Sequence, residues 1–156
     1  MVELLDHYAR DAAGGGQPLG DEVRRTLATK LAERPDAFSF LAFVDDRPVG
    51  LLNAFEGFST FSAAPLLNIH DVVAHRDYRG RGVAHRLLEA AERLAVERGC
   101  CKLTLEVLTA NSPAIKLYER FGFQSYRLDD SFGHAVFLQK RIDFIQQLTT
   151  PQPGPS

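Results

Sequence analysis

The stretch from Gly82 to Gly99, GVAHRLLEAAERLAVERG, constrains this chain more than any other. Val83, Leu87, Leu88, Ala91, Leu94 and Ala95 recur on one stripe at helical spacing. Arg86, Glu89, Glu92, Arg93 and Glu97 make the opposite face, and Gly99 supplies the C-terminal stop. A helix patterned so regularly has to bury its stripe against something. LLNIHDVVAH, residues 66–75, reads as a strand just before it. CKLTLEVL follows, alternating Cys101, Leu103, Leu105 and Val107 with Lys102, Thr104 and Glu106 as a strand with one buried face does. Strand, helix, strand predicts a right-handed crossover between parallel neighbours.

The rest of the chain supplies further elements. Val2, Leu5, Tyr8 and Ala9 have helical spacing before the glycines 14–16, and DEVRRTLATKLAERP predicts a second helix with an acidic first turn and a stop at Pro35. FSFLAFV and VGLLNAFEGF, joined by the polar DDRP, predict a hairpin. NSPAIKLYERFGF predicts a short helix capped by Asn111 or Ser112, with Pro113 in its first turn and Gly122 at its end. FQSYRL and HAVFLQK read as a closing pair of strands, and the proline-rich ending from Thr149 as a disordered tail. At 156 residues the expectation is one domain, residues 1–148, followed by that tail.

Composition excludes several classes of function. A net charge of −2 argues against a general nucleic-acid binder, and no apolar run approaches the roughly 20 residues of a spanning helix. The acidic start has no secretory pattern, so a cytoplasmic location is expected. Adjacent Cys100 and Cys101 offer neither a good disulfide nor metal-ligand spacing; they are expected to be buried thiols, and no metal is expected. In the strand 66–75, polar Asn68, His70 and Asp71 stand where a purely structural strand would carry apolar residues.

The loop RDYRGRGVAHR at the mouth of the long helix concentrates Arg76, Arg79, Arg81 and Arg86 in a chain that is acidic overall. A helix N-terminus offers unpaired amides and a partial positive charge, and Gly80 and Gly82 let an anion approach them. A di- or triphosphate-like anion suits this loop. The P-loop pattern is excluded because no Lys with a hydroxyl neighbour is present, and the dinucleotide fingerprint would place its third glycine at His85.

RGRGVA, Arg79 to Ala84, fits the pattern Arg or Gln, two residues, Gly, one residue, Gly or Ala. With the strand before it, CKLTLEVL after it and NSPAIKLYERFGF further on, it resembles the GNAT superfamily of acetyl-CoA-dependent N-acetyltransferases over roughly residues 38–140. The resemblance implies an α/β (α+β) fold with a mixed, mostly antiparallel sheet, a splayed parallel pair and flanking helices. It implies that Arg79, Gly80, Arg81, Gly82, Val83 and Ala84 hold the CoA pyrophosphate. Asp71, Val72 and Val73 would offer backbone to the pantetheine arm, and Asn111 would reach that arm or cap its helix.

The same resemblance places Tyr118 as the acid that protonates the departing sulfur. His70, with an ordinary pKa near 6.5, is a candidate base, with Glu106 and Glu56 as further choices. On a regular strand His70 would point opposite to Ile69 and Asp71. The activity implied is transfer of an acetyl group from acetyl-CoA to a primary amine of a small molecule or peptide; the alternative is a non-catalytic acyl-CoA sensor. Residues 2–9 already have helical spacing where the family usually has its first strand; either that strand lies upstream, or the sheet edge is left open and covered by a partner chain, as in a homodimer.

Overall fold

A computed structural model describes residues 1–126 and 135–140. Met1–Gln124 forms one compact unit, and Ser125–Ser156 forms a second. In the second unit the described residues, 125–126 and 135–140, carry neither helix nor strand. The predicted closing pair is therefore not formed at 123–126 or 135–140, because a strand is defined by a laddered partner and neither stretch has one among the described residues. The remainder of that pair and the expected tail lie outside the described residues.

The first unit opens with α1 (Val2–Ala9) and α2 (Asp21–Ala32), followed by β1 (Ala37–Val44), β2 (Arg47–Ser59) and β3 (Ala64–Ala74). Then come α3 (Val83–Glu97), β4 (Leu103–Leu105) and α4 (Ser112–Phe121). The sheet order is β1-β2-β3-β4, antiparallel for the first two pairs and parallel between β3 and β4. This is the mixed, mostly antiparallel sheet with one parallel pair expected from the sequence.

The β1–β2 turn consists of Asp45 and Asp46, with φ of 47° and 60°, as a two-residue hairpin turn that follows strand twist requires. Aspartate tolerates this conformation better than most residues.

The stripe predicted on α3 is the core. Leu87, Leu88, Ala91 and Ala95 are buried together with Val49, Leu52, Ala54, Leu67 and Ile69 of β2 and β3. On the other face of the sheet, Leu4 of α1 packs with Leu51 and Val73. α1 is fastened through Asp6, whose buried carboxylate accepts from Leu19 N at 2.8 Å and Arg10 Nε at 2.9 Å. The backbone bond from Leu19 and the Arg10 side chain hold that carboxyl below its usual pKa.

Two expectations change. β4 is only three residues long, and Cys101 is exposed while Cys100 is half-buried, so the thiols are not core groups. The chain leaves α3 at Gly99 and joins the sheet through Cys101 N donating to Pro65 O, one step before the ladder begins, so Cys101 never enters the buried face.

β2 approaches α3 closely at Gly50. A Cβ there would lie 2.5 Å from Val83 Cγ1 and 3.0 Å from Leu87 Cδ1. Val83 is stiff and β-branched, so the first turn of α3 would have to shift. Gly50→Ala is expected to destabilise the protein by about 1–3 kcal/mol, read by denaturant unfolding. Leu88→Ala, which empties a fully buried site, should cost about 2–5 kcal/mol.

Candidate active site

The site is created where β3 and β4 part. Their parallel pairs are Leu67↔Leu103, Asn68↔Thr104 and Ile69↔Leu105, after which β3 runs on to Ala74 without β4. Asn68 seals the paired part, donating from Nδ2 to Thr104 Oγ1 at 2.8 Å. At the point of parting β3 is also irregular: Ala54 pairs with Ile69 and Asn53 with Asp71, leaving His70 as an extra residue.

That bulge changes which side chains face which way. Leu67 and Ile69 pack toward α3, and so do Val72 and Ala74, while Val73 packs toward α1. Asp71 has therefore moved to the α1 face, rather than sharing the face of Ile69 as a regular alternation would have it. His70 is exposed, with its ring edge against Phe55 at 4.7 Å between centroids. The polar trio of β3 thus has three separate explanations, in Asn68 the ladder, in His70 the bulge, and in Asp71 a bond to Asn53.

Beyond β3 the chain makes a single turn at Arg76–Tyr78 and enters α3 through Gly80 and Gly82, with φ of 72° and 79°. Nothing lies within 4 Å of where a Cβ would stand on either glycine. The first amides of α3 have no intrahelical acceptors, so this loop is shaped for an anion. Arg76, Arg81 and Arg86 are exposed and pair with no carboxylate among the described residues; Arg81 lies over the Tyr78 ring at 5.2 Å. Arg79 is different. Its guanidinium is paired with Asp11, and its Nε donates to Ala74 O at 3.4 Å, so it braces the loop to β3 and to the segment after α1.

A cavity of about 670 Å³ opens on the α3–α4 side, lined among others by Val72, Arg79, Gly80, Gly82, Val83, Ala84 and Tyr118. A second hollow of about 390 Å³ reaches Tyr8, Asp11, Val73 and Asn111, and shares Val72, Ala74, Arg79 and Pro113 with the first. Val72 faces α3 and Val73 faces α1, so the two hollows meet beside the unpaired part of β3 and give access from both sides of the sheet.

α4 brings Tyr118 into the larger cavity. Asn111 caps this helix, its Oδ1 accepting from Ala114 N at 3.4 Å, and Gly122, at φ 108°, ends it. Tyr118 is edge-on to Phe123 at 5.8 Å and packs against the main core. Burial pushes its phenol up to about 12, with Tyr8 adding a smaller push in the same direction. The hydroxyl therefore stays protonated at neutral pH and keeps a proton to donate. Burial and the charges of Asp71 and Asp11 likewise raise Tyr8.

Of the residues picked from sequence, Val72, Arg79, Gly80, Gly82, Val83, Ala84 and Tyr118 converge on the larger cavity, and Val73 and Asn111 on the smaller. Arg81 and Asp71 stand next to these linings. His70 and Glu106 are exposed and line neither hollow, and Glu56 is paired with Arg98. Tyr8 and Asp11 were not anticipated; the segment that carries them has no motif, and only the fold brings it to β3. Among the described residues no helix is long and apolar enough to cross a membrane, and no three His, Cys, Asp or Glu side chains cluster as a metal would need.

The acetyltransferase (GNAT) family model matches residues 1–123. The chain is 34% identical over 117 residues to acetyltransferase SG1711 of Sodalis glossinidius (strain morsitans), covering 74% of this chain and 72% of that one. It is 38% identical over 88 residues to a streptothricin acetyltransferase of Escherichia coli, covering 56% of this chain and 48% of the relative's length. Its fold matches that of AAC(6')-Iy in complex with a CoA-S-monomethyl-acetylneamine bisubstrate analog, with a TM-score of 0.68 at 21% identity over 90% of this chain and 93% of that one. The chain belongs to the GNAT family and is an acetyltransferase of that family.

Because burial is the main cause of the raised phenol, it should be visible directly. A spectrophotometric titration of the folded protein, compared with Tyr118→Phe, is expected to assign to Tyr118 a tyrosine that ionises near 12, well above the value of about 10 for an exposed phenol.

Proposed function

We propose that this acetyltransferase moves the acetyl group of acetyl-CoA to a primary amine of a small molecule or peptide, by direct attack of the amine on the thioester. The observation that carries this reading is the parting of β3 from β4 beside a glycine-lined helix entrance, with a half-buried phenol on the cavity wall. The amides of Gly80 to Ala84 and the arginines around them suit the pyrophosphate of the donor. The unpaired backbone of Val72 and Val73 suits the amide-bearing arm, as an added strand would. The larger cavity falls within the range of small-molecule sites.

In this reading the donor lies on the α3–α4 side and the acceptor approaches from the α1 side. The neutral amine nitrogen forms a bond to the carbonyl carbon, the carbon–sulfur bond breaks, and the nitrogen gives up its extra proton to solvent. Tyr118 donates a hydrogen bond to the departing sulfur and passes it a proton, which the phenolate regains from solvent. A phenol at about 12 is a weak acid toward a thiolate, so its main effect is to stabilise the charge that develops on sulfur. Arg79 acts through its bonds to Asp11 and Ala74, holding the loop in register with β3.

Thiol release from acetyl-CoA in the presence of a panel of amines tests the reading. Tyr118→Phe is expected to lower kcat by about 10²-fold, with CoA affinity by calorimetry changing less than twofold. Gly82→Ala, which places a side chain at a left-handed position facing the anion site, should weaken CoA at least tenfold. Undiminished CoA affinity in Gly82→Ala would contradict the placement of the donor.

A further inference from the structure

His7 is the anomaly of α1. Its Nε2 is buried and has no hydrogen-bond partner among the described residues, although a polar atom out of water normally finds one. The ring lies flat on that of His75, with 4.6 Å between centroids and 10° between planes. A phenylalanine would fill such a place without leaving a nitrogen unbonded. Two stacked imidazoles at the end of β3 therefore need a reason.

His75 leads from α1 to the donor loop. Its backbone N donates to Val49 O at 2.8 Å, and its O accepts from Tyr78 N at 2.8 Å. Its Nδ1 accepts from Asp77 N at 3.3 Å, which closes the single turn Arg76–Tyr78. Nδ1 can accept only while it carries no proton. The His75 ring is edge-on to Tyr78 at 6.1 Å, and Tyr78 carries Arg81 over its face and lines the larger cavity with Gly80 and Gly82. A shift of His7 thus reaches the glycine entrance through packed rings.

The charges around the pair favour neutral rings. His75, Arg76 and Arg79 face His7 from the end of β3 and the loop beyond it, and Asp11 faces it from the segment after α1. Asp11 is already paired with Arg79, and Asp77 lies 3.7 Å from His75 Nδ1. Arg24 of α2 lies 4.0 Å from Asp6, and Glu3, one turn before His7 on α1, is exposed. Burial lowers the pKa of His7, His75, Arg76 and Arg79 lower it further, and Asp11 opposes them. An imidazolium carries a proton on both nitrogens. A charged His7 would bury an Nε2–H without an acceptor and set a cation against His75 and two arginines.

We propose that His7 is a positioning residue for the donor loop: as a neutral ring stacked on His75 it holds the Arg76–Tyr78 turn and the glycine entrance in shape, and on gaining a proton it releases them. Donor binding then depends on pH. The stacked form is the form without the proton, so its contribution is complete above the ordinary histidine value of 6.5 and is lost as pH falls through the lower value of the folded protein. This inference rests on the placement of the donor in the proposed acetyl transfer and adds a proton-dependent control to that site.

The test titrates the full chain calorimetrically with CoA at about pH 7.5 and with dephospho-CoA at about pH 7.5 and about pH 5, across the range in which histidine changes charge, with circular dichroism to follow the fold. Dephospho-CoA serves the pH series because it lacks the phosphate monoester, which itself titrates near pH 6. Wild-type protein is expected to bind it at least threefold more weakly at the acid pH. His7→Phe keeps a flat ring and loses no bond at Nε2; it should bind within twofold of wild type at the higher pH and show at most half of the wild-type acid loss. His7→Ala should bind at least fivefold more weakly than wild type at the higher pH. Independently of any variant, the His7 imidazole followed by NMR should ionise at a lower pH with CoA bound than without it, as reciprocal linkage requires.

A wild-type acid loss smaller than threefold, or a His7→Phe loss more than half as large as the wild-type one, would overturn the proposal. So would a His7 titration that CoA leaves in place or moves upward. His7→Ala with wild-type affinity at the higher pH would remove the positioning role. Failure of CoA to bind at all would overturn the donor reading and this inference together, whereas tight CoA binding with no dependence on the charge of His7 would sink this inference alone.

Discussion

Parallel pairing between β3 and β4 stops at Ile69↔Leu105, and the rest of the site depends on that parting. Backbone amides and carbonyls must find partners, and a strand that loses its neighbour in mid-sheet exposes a row of them. From His70 to Ala74 the β4 side of β3 is such a row among the described residues. The gap is held open from both sides. Asn68 and Thr104 lock the last paired turn, and the bulge at His70 redirects β3 just beyond it. The cavities meet there because no strand fills the space.

The remaining elements serve this gap. α3 is anchored by a fully buried stripe, so its N-terminus is set rigidly against Gly50 of β2, and the Gly80–Gly82 entrance inherits that position. α4 is capped at Asn111 and stopped at Gly122, which fixes Tyr118 on the cavity wall. α1 closes the opposite side. Its His7 ring stacks on His75 at 4.6 Å, and burial and the facing His75 and Arg76 hold His7 below its usual pKa. Asp11, just past α1, reaches Arg79, so the first residues of the chain and the loop before α3 are tied together.

Much of this was legible in the sequence because it rests on local pattern. The α3 stripe, its glycine stop, the polar hairpin turn and a cap at Asn111 or Ser112 each have a periodicity or a residue type that admits few alternatives. RGRGVA and Tyr118 were picked through the family resemblance, as residues at fixed offsets from an element boundary, and the fold brings Arg79, Gly80, Gly82, Val83, Ala84 and Tyr118 to one cavity. The bulge at His70 was not, since one extra residue in a strand leaves no periodic signature, and it reversed the face assigned to Asp71. β4 was read too long because its alternating pattern continues past the point where its partner leaves. Tyr8 and Asp11 belong to the site only through tertiary folding. Asn53 did carry a signal, an amide within an apolar run, but its partners lie on two other strands.

A structure of the protein with CoA bound tests the central claim most directly. The account predicts the pyrophosphate on the amides of Gly80 to Ala84, the pantetheine arm beside Val72 in the gap between β3 and β4, and the sulfur near the Tyr118 hydroxyl. CoA bound elsewhere, or a sulfur remote from both Val72 and Tyr118, would contradict it.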